Sequence, residues 1–163
     1  MLMEIRKACL ADVEAQMELF DYARSFMRST GNMHQWTNGY PSREVLEKDI
    51  AAGNSYVCVD DEQELVATFC FFQEKDPTYD YIEGRYWLND EPYGVVHRLA
   101  GGGKVKGLGR FCLDWCYDRC PNIRVDTHED NVVMQSLLEK CGFVRCGIIY
   151  LSNGDPRVAF HKC

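Results

Sequence analysis

Gly101-Gly-Gly-Lys-Val-Lys-Gly-Leu-Gly109 decides the fold class of this chain, because five glycines in nine residues separate a strand pattern from a helix pattern. Upstream, Tyr93-Gly-Val-Val-His-Arg-Leu-Ala100 reads as a strand rich in β-branched residues. Downstream, Cys112, Cys116 and Cys120 recur at helical spacing beside Phe111 and Trp115. Glycine lets the backbone approach a ligand closely, and the first N–H groups of a helix lack intrahelical acceptors, so such a turn can cradle an anion. The helix dipole contributes only about 0.3–1 kcal/mol toward an exposed charge. Several N–H bonds, with Lys104 and Lys106 as counter-charges, must supply the rest. A flexible surface turn without a ligand is the competing reading of the same glycines.

Working outward, Glu4 to Ala8 alternates like a short strand, and Asp12 precedes a helical stripe of Val13, Met17, Phe20, Ala23 and Met27. Gly31, Gly39 and Pro41 end that stripe in a loop carrying Trp36 and Tyr40, and a second helix is expected from after Ser42 to Gly53. Ser55–Val59 and Leu65–Phe72 flank an acidic turn and read as a hairpin. Residues 73–92 mix acidic and aromatic residues and read as loop with room for one short strand. Ile123–Thr127 is the next strand. Asn131 can cap a helix that runs to Cys141 and stops at Gly142, and Phe143–Leu151 with Arg157–His161 form a last hairpin around Asn153-Gly154. No repeat or linker interrupts residues 1–163, so a single domain is expected.

The chain has 163 residues, with 18 Lys+Arg against 25 Asp+Glu and a net charge of −7. Phosphate-backbone recognition draws on clustered cations, so this balance argues against nucleic acid as partner and suits a small cationic ligand. No stretch approaches the roughly 18 apolar residues of a membrane span, and Met1-Leu-Met-Glu-Ile-Arg-Lys enters charge without a signal-peptide core; a cytoplasmic location and no membrane partner are expected. The nine cysteines contain no Cys-x-x-Cys pair, so no zinc or other metal site is expected. They read as reduced, mostly apolar core residues.

Two nucleotide motifs compete for the turn. A Walker loop needs Gly-Lys-Ser/Thr, whereas Gly107 precedes Leu108 and Gly109 precedes Arg110. A dinucleotide fingerprint could use Gly107, Gly109 and the distant Asp126, but Cys112 occupies the third glycine position and the N-terminal hairpin does not fit a doubly wound sheet.

The strand, the Lys104–Gly109 turn, Ile123–Thr127, Asn131 and the Leu-Leu-Glu-Lys-Cys-Gly-Phe run ending at Phe143 together resemble the GNAT acyltransferases. Glu4-Ile-Arg-Lys-Ala with Asp12 extends the likeness to the N-terminus. The resemblance implies an α+β, three-layer fold, with a central mixed and mostly antiparallel sheet flanked by helices. It also implies acetyl-CoA as co-substrate. The family's Gln/Arg-x-x-Gly-x-Gly/Ala turn falls on Lys104 to Gly109, with Lys104 as a departure. By the same resemblance the pyrophosphate would lie on Val105, Lys106, Gly107, Leu108, Gly109 and Arg110, the pantetheine arm along Leu99 and Ala100, and Asn131 on the arm's other side.

Acetyl transfer to an amine needs the neutral nucleophile, yet an amine of pKa about 10.4 is neutral in fewer than roughly one molecule in a thousand at pH 7. A base is therefore expected, and the family's direct transfer requires no enzyme nucleophile. His97 lies on the strand that should border the thioester; a structural histidine is the alternative. Glu83 is the rival base, although a solvated loop carboxylate is the commoner reading of such a residue, and Asp126, His128 and Glu129 read as helix-capping groups. Many GNAT members have a tyrosine before Gly-Phe that protonates the departing thiolate, but the matching position is Leu138, leaving Tyr150 and Tyr93 as available phenols. Trp36, Tyr40 and Trp87 could wall an acceptor pocket beside acidic residues, or simply pack. The expected function is acetyl-CoA-dependent N-acetyl transfer to a small, cationic amine through a ternary complex. The alternative is a non-catalytic acyl-CoA sensor. A homodimer is compatible with the sequence.

Overall fold

A computed structural model describes residues 2–163. Seven strands form one sheet: β1 Glu4–Lys7, β2 Ser55–Val59, β3 Leu65–Phe72, β4 Gly94–Gly101, β5 Ile123–Thr127, β6 Val144–Tyr150 and β7 Pro156–Lys162. The spatial order is β1-β2-β3-β4-β5-β7-β6. Every neighbouring pair is antiparallel except β4 and β5. Four α-helices flank the sheet: α1 Val13–Ser29, α2 Arg43–Ala51, α3 Leu108–Arg119 and α4 Val132–Lys140. The expected mixed, mostly antiparallel sheet is thus observed, and the doubly wound alternative is excluded.

Period-two alternation divides the side chains between the two faces. Cys58, Phe69, Phe71, Val96, Val125 and Phe160 bury against α3 and α4 through Cys112, Leu113, Cys116 and Leu138. On the other face, Phe20, Ala23, Met27 and Leu46 of α1 and α2 form a second cluster with Trp36 and Ala100. Gln16 of α1 is fully buried and donates to the hydroxyls of Ser55 and Thr68, tying this helix to β2 and β3. Residues 73–92 cover the C-terminal half of that face, closing a third cluster around Tyr79, Tyr93, Val95, Ile149 and Ala159. Their only regular features are a 3₁₀ turn at Pro77–Tyr79 and a bridge between Glu83 and Ile148.

All nine cysteines are free. Six are buried and Cys120 is half-buried, whereas Cys9 and Cys163 are exposed and lie outside the expected core set. Burial pushes the Cys70 thiol up to about 12 and Cys116 upward as well, so these groups stay protonated. Among the described residues no helix is long and apolar enough to cross a membrane.

Two features of β4 position the site. Thr68 pairs with Ala100 and Cys70 with His97, so β4 carries one residue more than β3 over the same span. This is a β-bulge, and Arg98 within it has a φ of 54°, unusual for a residue with a side chain. Arg98 is fixed there by Asp49, which accepts from its Nε and Nη2 at 2.8 and 2.7 Å. Already before the bulge β4 leaves β5: only Gly94 with Ile123 and Val95 with Arg124 are paired. The parallel strands therefore diverge toward their C-terminal ends.

Candidate functional site at the strand split

Two adjoining cavities fill this divergence. One, of about 460 Å³, lies between Val96–Leu99 of β4 and Val125–Thr127 of β5, beneath the loop that carries Trp36 and Tyr40. The other, of about 370 Å³, is lined by Leu99, Ala100, Val105, Gly107, Leu108 and Gly109 and by exposed Tyr22 and Phe26 of α1. Leu99, Asn131 and Met134 border both, so the two form one continuous cleft.

The apolar cavity is shaped by the glycine turn. Gly107 has a φ of 78° with open space where a Cβ would stand, while a Cβ on Gly109 would meet Leu137 at 2.5 Å. The first glycine therefore permits the turn's left-handed backbone, and the second lets α3 approach α4 closely. Phe111 N–H is the first to bond back to the turn, at the Gly107 carbonyl, 3.0 Å away. Asn131 caps α4 by accepting from Met134 N–H at 2.9 Å and donates to Gln35 at 3.0 Å, linking the α4 start to the Trp36 loop.

The polar cavity is organised around His97. Its Nε2–H donates to Asp76 at 2.8 Å, which leaves Nδ1 as the acceptor, 3.8 Å from the Asp126 carboxylate. Burial raises the Asp76 pKa, but bonds from His97 and Thr78 outweigh it and hold the carboxyl at about 2. Asp126 also accepts from the Tyr79 hydroxyl at 2.6 Å. Burial, with Asp126 beside it, pushes that hydroxyl well above its ordinary value, so it remains the donor. Tyr93 accepts from Asp76 N–H at 2.9 Å and so braces the loop that supplies Asp76.

Several sequence-derived residues lie elsewhere. Trp87 is outside both cavities: its Nε1–H donates to the Tyr79 carbonyl, and its ring covers the Arg124 guanidinium at 4.3 Å. Glu83 and Tyr150 bond to each other at the β6 edge, likewise outside the cleft, because the Glu83–Ile148 bridge pins that part of residues 73–92 to β6. Trp36 borders the polar cavity but is largely packed, edge-on to Phe20 at 5.6 Å. Tyr40 lines it more openly and accepts from Arg98 Nη1 at 2.9 Å. Leu138 is wholly buried in the core. Asp126 and His128 are not caps of α4, which is capped by Asn131 instead; the Asp126 side chain faces His97. Lys104, Lys106 and Arg110 belong to the turn and helix start but do not border either cavity.

No protein-family model and no curated protein matches the chain. Solved structures do. A chain from Streptococcus agalactiae 2603, described as an acetyltransferase of the GNAT family, is 32% identical with a TM-score of 0.89, over 98% of this chain and 94% of that one. This chain belongs to the GNAT family of acetyltransferases. A Staphylococcus aureus Mu50 structure is 26% identical with a TM-score of 0.68, covering 97% of each chain. A GNAT-family structure from Bacillus cereus ATCC 10987, 17% identical with a TM-score of 0.67 over 99% and 97% of the chains, shares the fold.

Within this GNAT frame, the residues that sequence reasoning missed are those brought in by tertiary structure. Asp76 lies 21 positions before His97, in a segment with no helix or strand period to aim it. Arg157 and His34 line the polar cavity from the last hairpin and the Trp36 loop. Arg98 lies in a stretch read from its composition as a plain strand, and the bulge comes from its pairing with β3.

Proposed function

We propose that this GNAT acetyltransferase moves the acetyl group of acetyl-CoA directly to the amino group of a small acceptor, in a ternary complex, with His97 as the base. The observation that carries this reading is the His97 geometry: Asp76 occupies Nε2–H, so the lone pair on Nδ1 faces the cleft beside Asp126.

The residues present fit an acyl-CoA. The turn from Val105 to Arg110 would hold the pyrophosphate through the unpaired N–H groups at the start of α3. Leu99 and Ala100 offer a strand edge that β5 has left, and the apolar cavity beside them suits a pantetheine arm. Acetyl-CoA, when bound, supplies a thioester whose acyl carbon accepts the amine and whose sulfur departs as CoA.

Asp126 would draw the acceptor ammonium into the polar cavity, and His97 Nδ1 would take its proton as the amine becomes nucleophilic. A positioned base of this kind contributes about 10²–10⁴ in rate. Asp76 keeps the imidazole in the tautomer that leaves Nδ1 free, and Tyr79 fixes the Asp126 carboxylate. The buried, protonated thiols and their positions in the core support direct transfer without an enzyme-bound acetyl group.

Leu138, buried where many GNAT members carry a phenol, favours a second reading as an acyl-CoA sensor without turnover. Release of CoA thiol on screening amines with acetyl-CoA separates the two. Acceptor-dependent release supports transfer, whereas saturable acetyl-CoA binding without release for any amine supports the sensor.

A further inference from the structure

The polar cavity carries charges of both signs, arranged in separate places. Asp76, Asp126 and His97 form one group, in which His97 Nε2–H donates to Asp76 while the Tyr79 hydroxyl holds Asp126. Arg98 is the first cation of the lining to consider, but Asp49 and Tyr40 already engage its guanidinium. Arg157 differs. It lines the same cavity, and its Nη1 donates only to the neighbouring Pro156 carbonyl, at 2.8 Å. It forms no ion pair among the described residues. Asp155 lies on the same wall, where its carboxylate accepts from Asn153 at 3.2 Å rather than from Arg157.

Register fixes where Arg157 stands. Asp126 pairs with Ala159, and Arg157 lies two residues along β7 from Ala159, on the same face of the sheet. Its backbone is thus a diagonal neighbour of Asp126, about 7–8 Å away. His34 borders the cavity, with its ring 6.4 Å from that of His128. Burial, and then the Arg157 charge, lowers the His128 pKa against the opposing carboxylates of Asp130 and Glu129, so Arg157 stands near enough to act on that ring. A guanidinium without a carboxylate partner, facing a cavity whose other end recognises an amine, matches an anionic group on the acceptor itself.

We infer that the acceptor is a zwitterion, an amine bearing a carboxylate a few bonds away as in an α-amino acid, with Arg157 holding the carboxylate while Asp126 and His97 receive the amine. This rests on the acetyl-transfer reading and narrows its substrate class. A purely cationic polyamine would bring a further positive charge against Arg157.

The test compares acetylation of α-amino acids with that of their carboxamides and their decarboxylated amines, with aminoalkylphosphonates as a separate arm. The wild-type protein is expected to favour the acids over the carboxamides by about tenfold to a hundredfold in kcat/KM, the range of a charge-assisted bond. In Arg157→Gln that ratio collapses toward one, chiefly through KM, and Arg157→Lys restores part of it. Equal or better use of the carboxamides or decarboxylated amines overturns the inference, as does an equal loss for acid and amide in Arg157→Gln. A preference for phosphonates over carboxylates also overturns the carboxylate assignment. If no amine releases CoA while acetyl-CoA still binds, the transfer reading fails separately. Calorimetric titration of the amino acids then decides the anion site: binding lost in Arg157→Gln supports it, and binding unchanged overturns it.

Discussion

His97 shows how little a residue's identity says without its partners. The sequence identifies a histidine on a strand beside a glycine turn, but its value as a base depends on Asp76, which comes from a segment lacking any periodic signal. Asp76→Asn tests this dependence. An amide can offer its N–H to Nε2 and stabilise the opposite tautomer, so kcat is expected to fall about 10²-fold, with KM for acetyl-CoA unchanged. Steady-state kinetics decide the point, and an unchanged kcat would show that Asp76 has no part in holding the imidazole. Glu83 and Trp87 illustrate the reverse error. Their chemistry suited the site, but a β6 bridge and the Arg124 guanidinium direct them elsewhere.

At the scale of elements, the glycine turn was legible because its backbone demands are local. A left-handed φ at Gly107 and the close approach of α3 to α4 at Gly109 both require glycine where it occurs. Gly107→Val should raise the Kd for acetyl-CoA about 5- to 30-fold, corresponding to roughly 1–2 kcal/mol of backbone strain that either distorts the cradle or opposes its ordering. Calorimetric titration measures this, and an unchanged Kd would remove the turn from the binding site. The bulge at Arg98 was not legible, since the β-branched Val95 and Val96 mark a strand without fixing its register against β3. It arises from a contact between distant segments, the Asp49–Arg98 pair, together with the extra residue opposite β3. The divergence of β4 from β5, and hence the cleft, was for the same reason absent from any local pattern.

For the whole molecule, periodicity marked the elements and the GNAT resemblance implied their three-layer arrangement, while its response to acid follows from buried polar groups. His161 is fully buried; its Nε2–H donates to Asn122 at 2.6 Å, and its Nδ1 accepts from Leu88 N–H at 3.1 Å. A second ring proton would face that N–H, and burial lowers the pKa to about 4 from 6.5. Between these values the unfolded chain binds the extra proton, so stability falls as pH drops from about 6.5 toward 4. Asp12, held at about 2 by Arg6 against the opposing effect of burial, and Asp76, held there by His97 and Thr78, add a second loss from about pH 4 toward 2. Urea midpoints against pH should therefore show both declines, with the upper one flattened in His161→Gln; an unflattened slope would relieve His161 of this role. The sheet that buries His161 also presents His97 to the cleft, and the function assigned to the molecule rests on that second histidine. The most direct measurement is acceptor-dependent release of CoA thiol by the wild-type protein and His97→Gln across pH, alongside acetyl-CoA affinity. Release by the wild type, falling about 10²-fold or more in His97→Gln with acetyl-CoA affinity preserved, is the predicted result; equal turnover and an identical pH profile in the two proteins would contradict it.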